Sequence, residues 1–311
     1  MEIIARLANL PGALPGACAQ GLIWGIMAIG VYLTYRILDV ADLTVDGSIA
    51  TGGAVAAMLI IGGCDVWVAM LVAVLAGMLA GLVTGLFHTA CGIPAILAGI
   101  LTQIALWSIN LRIMGKSNIP LLKTKTIFSS FVEVTGLKSS QASGLIGIII
   151  AVVIIVALYW FFGTEIGSAL RATGNNEDMI RALGVNTKMT KMIALMLSNG
   201  LVGLSGGLVC QSQKYADIGM GTGAIVIGLA AIVIGDVLMG KFRSFGSRLA
   251  SAIVGSIVYF LIRAVVLQLG MDANDMKLLS AIIVALALCI PVSLNKYRVK
   301  RAYSEGGEKN A

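Results

Sequence analysis

The chain has 311 residues, 58% hydrophobic and only 12% charged, with a formal net charge of +7. Soluble domains carry about 25% charged residues because charge covers their surface, so this composition excludes a soluble enzyme and requires the bilayer as solvent. The positive charge lies between apolar runs, not on one basic, aromatic-rich face, which excludes nucleic acid as a partner.

The N-terminus lacks a basic start and a cleavage site, and Pro11 and Pro15 precede the first long apolar stretch, so that stretch is expected to be kept as a span. Apolar runs near the about 20 residues a membrane helix needs lie at 16–37, 47–63, 66–88 and 93–114. After a polar stretch over 115–141, further runs occupy 143–163, 191–210, 221–239, 249–269 and 277–294. The expected fold is an all-α polytopic membrane bundle of about 8–10 transmembrane helices with at least one broken or re-entrant segment. Residues 1–294 read as one transmembrane domain and 295–311 as a basic tail.

Three basic segments set the orientation: Arg171, Arg181, Lys188 and Lys191; Lys241, Arg243 and Arg248; and Lys296, Arg298, Lys300 and Arg301. Two spans separate each from the next, so all share one face, which the positive-inside bias makes cytoplasmic together with the C-terminus. Lys116, Lys123, Lys125 and Lys138 fall on the other face, against that bias. Nine spans leave the N-terminus outside. If both ends are inside, one run is split or re-entrant, and Asp39 to Gly53 is the suspect.

Gly77, Gly81 and Gly85 recur every four residues and offer a smooth face to a neighbouring backbone, and Gly200, Gly203, Gly206 and Gly207 thin a later span in the same way. The five cysteines are far apart and read as packing residues, and His88 has no second ligand beside it, so no metal site is expected. Arg263 can snorkel from its span as an anchor. Asp42 and Asp46 flank the broken region, and either pore lining or helix capping suits them. Gln103, Trp107 and Asn110 share one helix face, suited either to a polar path or to hydrogen bonds between helices. A secondary transporter would place paired ionisable groups near mid-membrane, and these spans are poor in them.

The segment from Thr164 to Thr187 carries a short, deliberately capped helix. Asn175 or Asn176 serves as N-cap, Glu177 and Asp178 suit the positive end of the helix dipole, and Gly184 sits where a left-handed C-cap is needed. Met179, Ile180 and Leu183 fall on one face while Arg181 points elsewhere. So short a helix is marginal alone and needs a partner or the bundle for its order.

Gly-x-x-Leu-Arg-Ala-x-Gly-x-Asn at Gly167 to Asn176, followed by Arg-Ala-Leu-Gly-Val-Asn from Arg181 to Asn186, resembles the cytoplasmic coupling loop of ABC importer permeases, the branched-chain amino acid and ribose-type group. The resemblance extends to Gly200–Gly207, to Gly228-Leu-Ala-Ala-Ile-Val-Ile-Gly235 and to Asp42-Leu-Thr-Val-Asp-Gly47, and the chain looks like the single-permease amino-acid importers, aromatic ones included. It implies a multi-pass protein of the bacterial inner membrane that forms the translocation path and works as a homodimer. Its implied partners are an ABC ATPase subunit, an extracytoplasmic substrate-binding protein and membrane lipid, with a sugar or nucleoside as the alternative to an amino-acid substrate. The loop 164–190 would contact the ATPase through Arg171, Gly174, Asn175, Asn176, Glu177, Asp178, Met179, Ile180, Arg181, Leu183, Gly184 and Asn186. ATP and Mg belong on that partner, because Gly115-Lys116-Ser117 has Asn110 where a phosphate-binding loop needs glycine and no strand before it.

Overall fold

Long apolar stretches become helices because backbone in lipid must satisfy its own N–H and C=O groups. The structure, a computed structural model, describes residues 10–122, 124–239, 244–269, 275, 278, 280–286 and 289. In chain order they form α1 (Leu10–Tyr32), which runs on through a π-helical turn (Leu33–Ile37), α2 (Val45–Ile61), α3 (Val66–Thr89) and α4 (Ala95–Met114). Then come β1 (Asn118–Pro120), α5 (Ile127–Thr135), α6 (Ser139–Phe161), α7 (Glu165–Asn175) and α8 (Glu177–Ala182). The rest is α9 (Thr187–Gln213), β2 (Tyr215–Asp217), α10 (Ala224–Met239) and α11 (Phe245–Gln268).

Among the described residues, six helices are long and apolar enough to cross a bilayer, and α2 and α10 are shorter apolar helices. Residues 281–286, inside the last expected span, are helical as well. The polytopic helical bundle expected from the sequence is therefore the fold. Lys123, Lys241, Arg243 and the tail 295–311 lie outside the described residues.

Two contacts identify the ends of the bundle. β1 pairs antiparallel with β2, with Asn118 opposite Asp217, which holds the connection after α4 beside the connection after α9. At the other end Arg36 pairs with Asp236 at 3.6 Å, and Gly174 lies against the backbone carbonyl of Ile37. Following the helices between these ends gathers Arg36, Arg171, Arg181, Lys188, Lys191 and Arg248 at the second, basic end. Arg112, Lys116, Lys125, Lys138 and Lys214 sit at the strand end, with Arg263 beside them at a cavity there.

Small residues decide how closely the helices approach. Gly77 and Gly81 of α3 meet the backbone of Asn199 and Leu195 in α9, and Gly85 meets Met192. From the other side, Gly203 packs on Ala73 and Gly77, Gly207 on Met70 and Ala56, and Gly52 of α2 on the backbone of Gly203. A Cβ at Gly52 would overlap that backbone, so the α2–α9 spacing exists only with glycine there.

The broken segment falls between α1 and α2. After the π-helical turn, Asp39 takes a positive φ of 55°, and the chain leaves the helix until Val45, while Gly47 to Gly53 are helical. Ser48 of α2 bonds Asn199, which lies about 18 Å along α9 from the basic end, so α2 starts well inside the bundle. α10 also starts inside, beside Asp46 of α2. The two short helices leave this level in opposite directions, α2 toward the strand end and α10 toward the basic end.

Candidate functional site

Two helices that begin inside a bundle leave backbone N–H groups that lipid cannot satisfy. Acidic side chains meet that need. The Asp42 carboxylate accepts the Thr44 N–H at 2.9 Å, at the start of α2, and the Asn199 Nδ2 at 2.6 Å. Asn199 in turn accepts from the Ser48 hydroxyl at 2.6 Å. Asp46, in the first turn of α2, caps a different helix: its carboxylate accepts the N–H groups of Gly223 at 2.8 Å and Ile225 at 2.9 Å at the start of α10. Of the two roles open to these residues, capping is thus occupied in both, and for Asp46 across 179 positions of sequence. Thr44, Thr84 and Thr102 continue the buried network at 2.7 and 2.9 Å.

Asp46, Gln103, Trp107 and Asn110 come together around a cleft of about 30 Å³, closed by Gly47, Ala50, Ile218 and Thr222. Asp42 does not line it; burial among its hydrogen bonds removes it from the cleft surface. Asn110 is 1% exposed with neither amide atom hydrogen-bonded, and Trp107 is 50% exposed. A larger cavity of about 750 Å³ opens beyond the Gly219–Gly223 turn at the strand end, walled by Trp24, Gln213, Tyr215, Asp217 and Arg263. Thr222 lines both. Arg263 lies over the Phe260 ring at 5.6 Å and faces this cavity, a setting that its place in an apolar run did not reveal.

The capped segment forms two helices where the sequence suggested one. Thr164 caps α7 through the Gly167 N–H at 3.3 Å, and the glycines at 167 and 174 that weaken helix propensity allow close contact with Phe161, Phe162 and Ile37. Asn176 is the N-cap of α8, accepting the Met179 N–H at 3.0 Å, and Gly184 has the expected positive φ, 85°. Asn186 caps α9 through Met189 N–H at 3.2 Å, and the Arg171 guanidinium lies 5.5 Å from the Phe245 ring centroid. Asn175 and Asp178 are exposed. The apolar face is split: Ile180 turns into the bundle, while Met179 and Leu183, 50% and 71% exposed, point out, because α8 lies flat on the bundle and must bury one side.

Three ties fix this segment to the spans. Gly174 rests on the end of α1, Thr173 and Thr190 share a hydroxyl hydrogen bond at 3.2 Å, and Glu177 binds Lys191 at 2.5 Å and Arg181 at 2.8 Å. The hydrogen bond from Lys191, with its charge and that of Arg181, holds the Glu177 carboxyl below the usual glutamate range.

A family model described as the permease component of the branched-chain amino acid transport system matches residues 14–288. The chain belongs to that family. The permease is 40% identical over 284 residues to the tyrosine transport system permease protein of Clostridioides difficile, covering 90% of this chain and 93% of the relative. It is 32% identical to uncharacterized protein RP368 of Rickettsia prowazekii over 88% and 95% of the two chains. With the ribose import permease RbsC of Escherichia coli K12 it shares 26% identity, over 85% of this chain and 81% of the relative. Among solved structures, PsaBC from Streptococcus pneumoniae in complex with Fab covers 84% of this chain and 95% of its own at 17% identity, with a TM-score of 0.38. As an ABC importer permease with six long apolar helices among the described residues, the chain is a multi-pass inner-membrane transport subunit and not an enzyme.

Proposed function

We propose that this permease imports an amino acid, aromatic by its likeness to the tyrosine permease, and couples to a separate ATPase through residues 164–186 at the basic, cytoplasmic end. The observation that carries the coupling assignment is the outward pair Met179 and Leu183, held on a segment that Gly174, Thr173 and Glu177 tie to α1 and α9. Exposed apolar side chains on a short helix outside the lipid are a docking surface for a groove, and a segment fixed to two spans passes on the force it receives. Gly174 presses on Ile37, and five residues further along the chain Asp42 holds the start of α2. ATPase closure at the basic end thereby moves the level at which α2 and α10 begin.

In this reading two permease copies and two ATPase subunits, which hold ATP and Mg, assemble with an extracytoplasmic binding protein that delivers substrate at the strand end. Asp46, Gln103, Trp107 and Asn110 face the path, and Asp42 supports it from behind. A ribose-type sugar is the second reading, favoured by the likeness to RbsC; the higher identity and fuller coverage of the tyrosine permease favour the amino acid.

Coexpression with the candidate ATPase tests the assignment. Leu183→Glu and Gly184→Pro, with folding checked in detergent, are expected to abolish ATPase recovery and substrate-stimulated ATP hydrolysis. A folded variant that keeps both would overturn it.

A further inference from the structure

The cleft beside Asp46 contains a polar side chain that the fold does not use. Asn110 is buried to 1%, and neither its Nδ2 nor its Oδ1 meets a hydrogen-bond partner. An amide so placed is costly inside a bundle surrounded by lipid, and persists where something outside the fold completes it. The cleft of about 30 Å³ has room for one group the size of a water molecule. Among the described residues its lining holds one ionisable side chain, Asp46, whose two oxygens accept the Gly223 and Ile225 N–H groups and keep further acceptor capacity. The half-exposed indole of Trp107 stands in the same lining.

Asp46, Asn110 and Trp107, residues that line one water-sized space, carry a carboxylate, an unpaired amide and an indole, a set complementary to a primary ammonium. That group has the right size, brings three donors and a positive charge, and gains from the carboxylate, from Asn110 Oδ1 and from the indole ring. A carboxylate would meet the like charge of Asp46, and a sugar hydroxyl can donate one hydrogen bond to it but brings no charge to balance it. We infer that this cleft is the subsite for the ammonium group of the transported amino acid, with the substrate's aromatic ring lying along Trp107. The inference rests on the amino-acid reading above and names the substrate group that the path holds.

The test uses the whole importer, with its ATPase, in nanodiscs. Tryptophan emission, excited where tyrosine is silent, is followed on adding L-tyrosine, tyramine, the amino-free acid 3-(4-hydroxyphenyl)propionate, or D-ribose. L-tyrosine and tyramine should change the emission saturably, the amino-free acid and ribose should not, and Trp107→Phe should remove the response. Asn110→Leu should raise the half-saturating tyrosine concentration about tenfold or more, as loss of one hydrogen bond to a charged group does. The ligand series leaves Asn110 unchanged, so it decides the matter even where that variant folds poorly. An equal response to the amino-free acid, or a response to ribose alone, would overturn the ammonium assignment. Silence toward all four while ATP hydrolysis is still stimulated would reject the subsite and leave the permease reading standing. Loss of the stimulation as well, in wild-type protein, would sink both.

Discussion

The mid-bundle junction and the segment 164–186 are built from the same residue types, aspartate or glutamate, asparagine and glycine, and use them differently. At the junction Asp42 and Asn199 are enclosed and bonded to each other and to backbone, and Gly52 and Gly203 bring two helices into backbone contact. In the segment, Asn176 and Gly184 open and close a helix of six residues, and Glu177 makes ion pairs that water reaches. Where lipid excludes water, a polar atom left without a partner is costly, so breaking a matched pair is felt as misfolding. Where water is present, polar atoms only shape the segment, and the apolar atoms left outside are free for a partner.

Substitutions should sort the two regions by what they damage. The largest effect is expected at Gly52→Leu, where a side chain must displace the Gly203 backbone; overpacking costs about 1–3 kcal/mol and more where backbone must move, so the monodisperse peak in detergent size-exclusion should be lost. Asp42→Ala follows. It leaves Asn199 Nδ2 and the Thr44 N–H without their acceptor and should cost about 2–3 kcal/mol, read as a lower melting temperature in detergent. A melting temperature unchanged by Asp42→Ala would erase the distinction between the regions.

On the other side, Leu183→Glu should change stability by less than about 0.5 kcal/mol, because the side chain is exposed, while recovery of the ATPase falls at least tenfold. The smallest effect belongs to Glu177→Gln, about 0.5 kcal/mol in the order of α8. The folded carboxyl titrates below the ordinary glutamate value of about 4.3. Its contribution is therefore complete above that value and disappears as pH falls through the lower folded one. Limited proteolysis of 164–186 should rise on acidification below about pH 4, and the glutamine variant should lack that dependence.

Much of this architecture could be read in the sequence because the bilayer imposes length and apolarity on each span. The caps Asn176 and Gly184 were readable because capping is local. The face of α8 was not: three-and-four spacing groups Met179, Ile180 and Leu183, but only the bundle surface decides that Ile180 goes in and the other two stay out. α7 was missed as a helix since Gly167 and Gly174 serve contacts with Phe161 and Ile37 at the expense of propensity. The cap that Asp46 gives to α10 had no signal at all near Asp46; its partners are distant in the chain. Asn199 and Ser48 were overlooked as single polar residues in apolar or glycine-rich stretches. Reading each such residue as a demand for a buried partner would have flagged them.

Crosslinking to the ATPase tests the division between the two ends most directly. Cysteine would be placed at Leu183, on the outer side of α8, and separately at Val134, an exposed apolar residue of α5 on the strand-end side. The assembled importer would then be treated with a short reagent that joins a thiol to an amine, the permease's native cysteines having been replaced, so that the new cysteine can be linked to lysines of the ATPase. The account predicts a crosslinked permease–ATPase band from position 183 and none from 134. A band from 134, or none from 183 in a complex that still hydrolyses ATP on adding substrate, would contradict it.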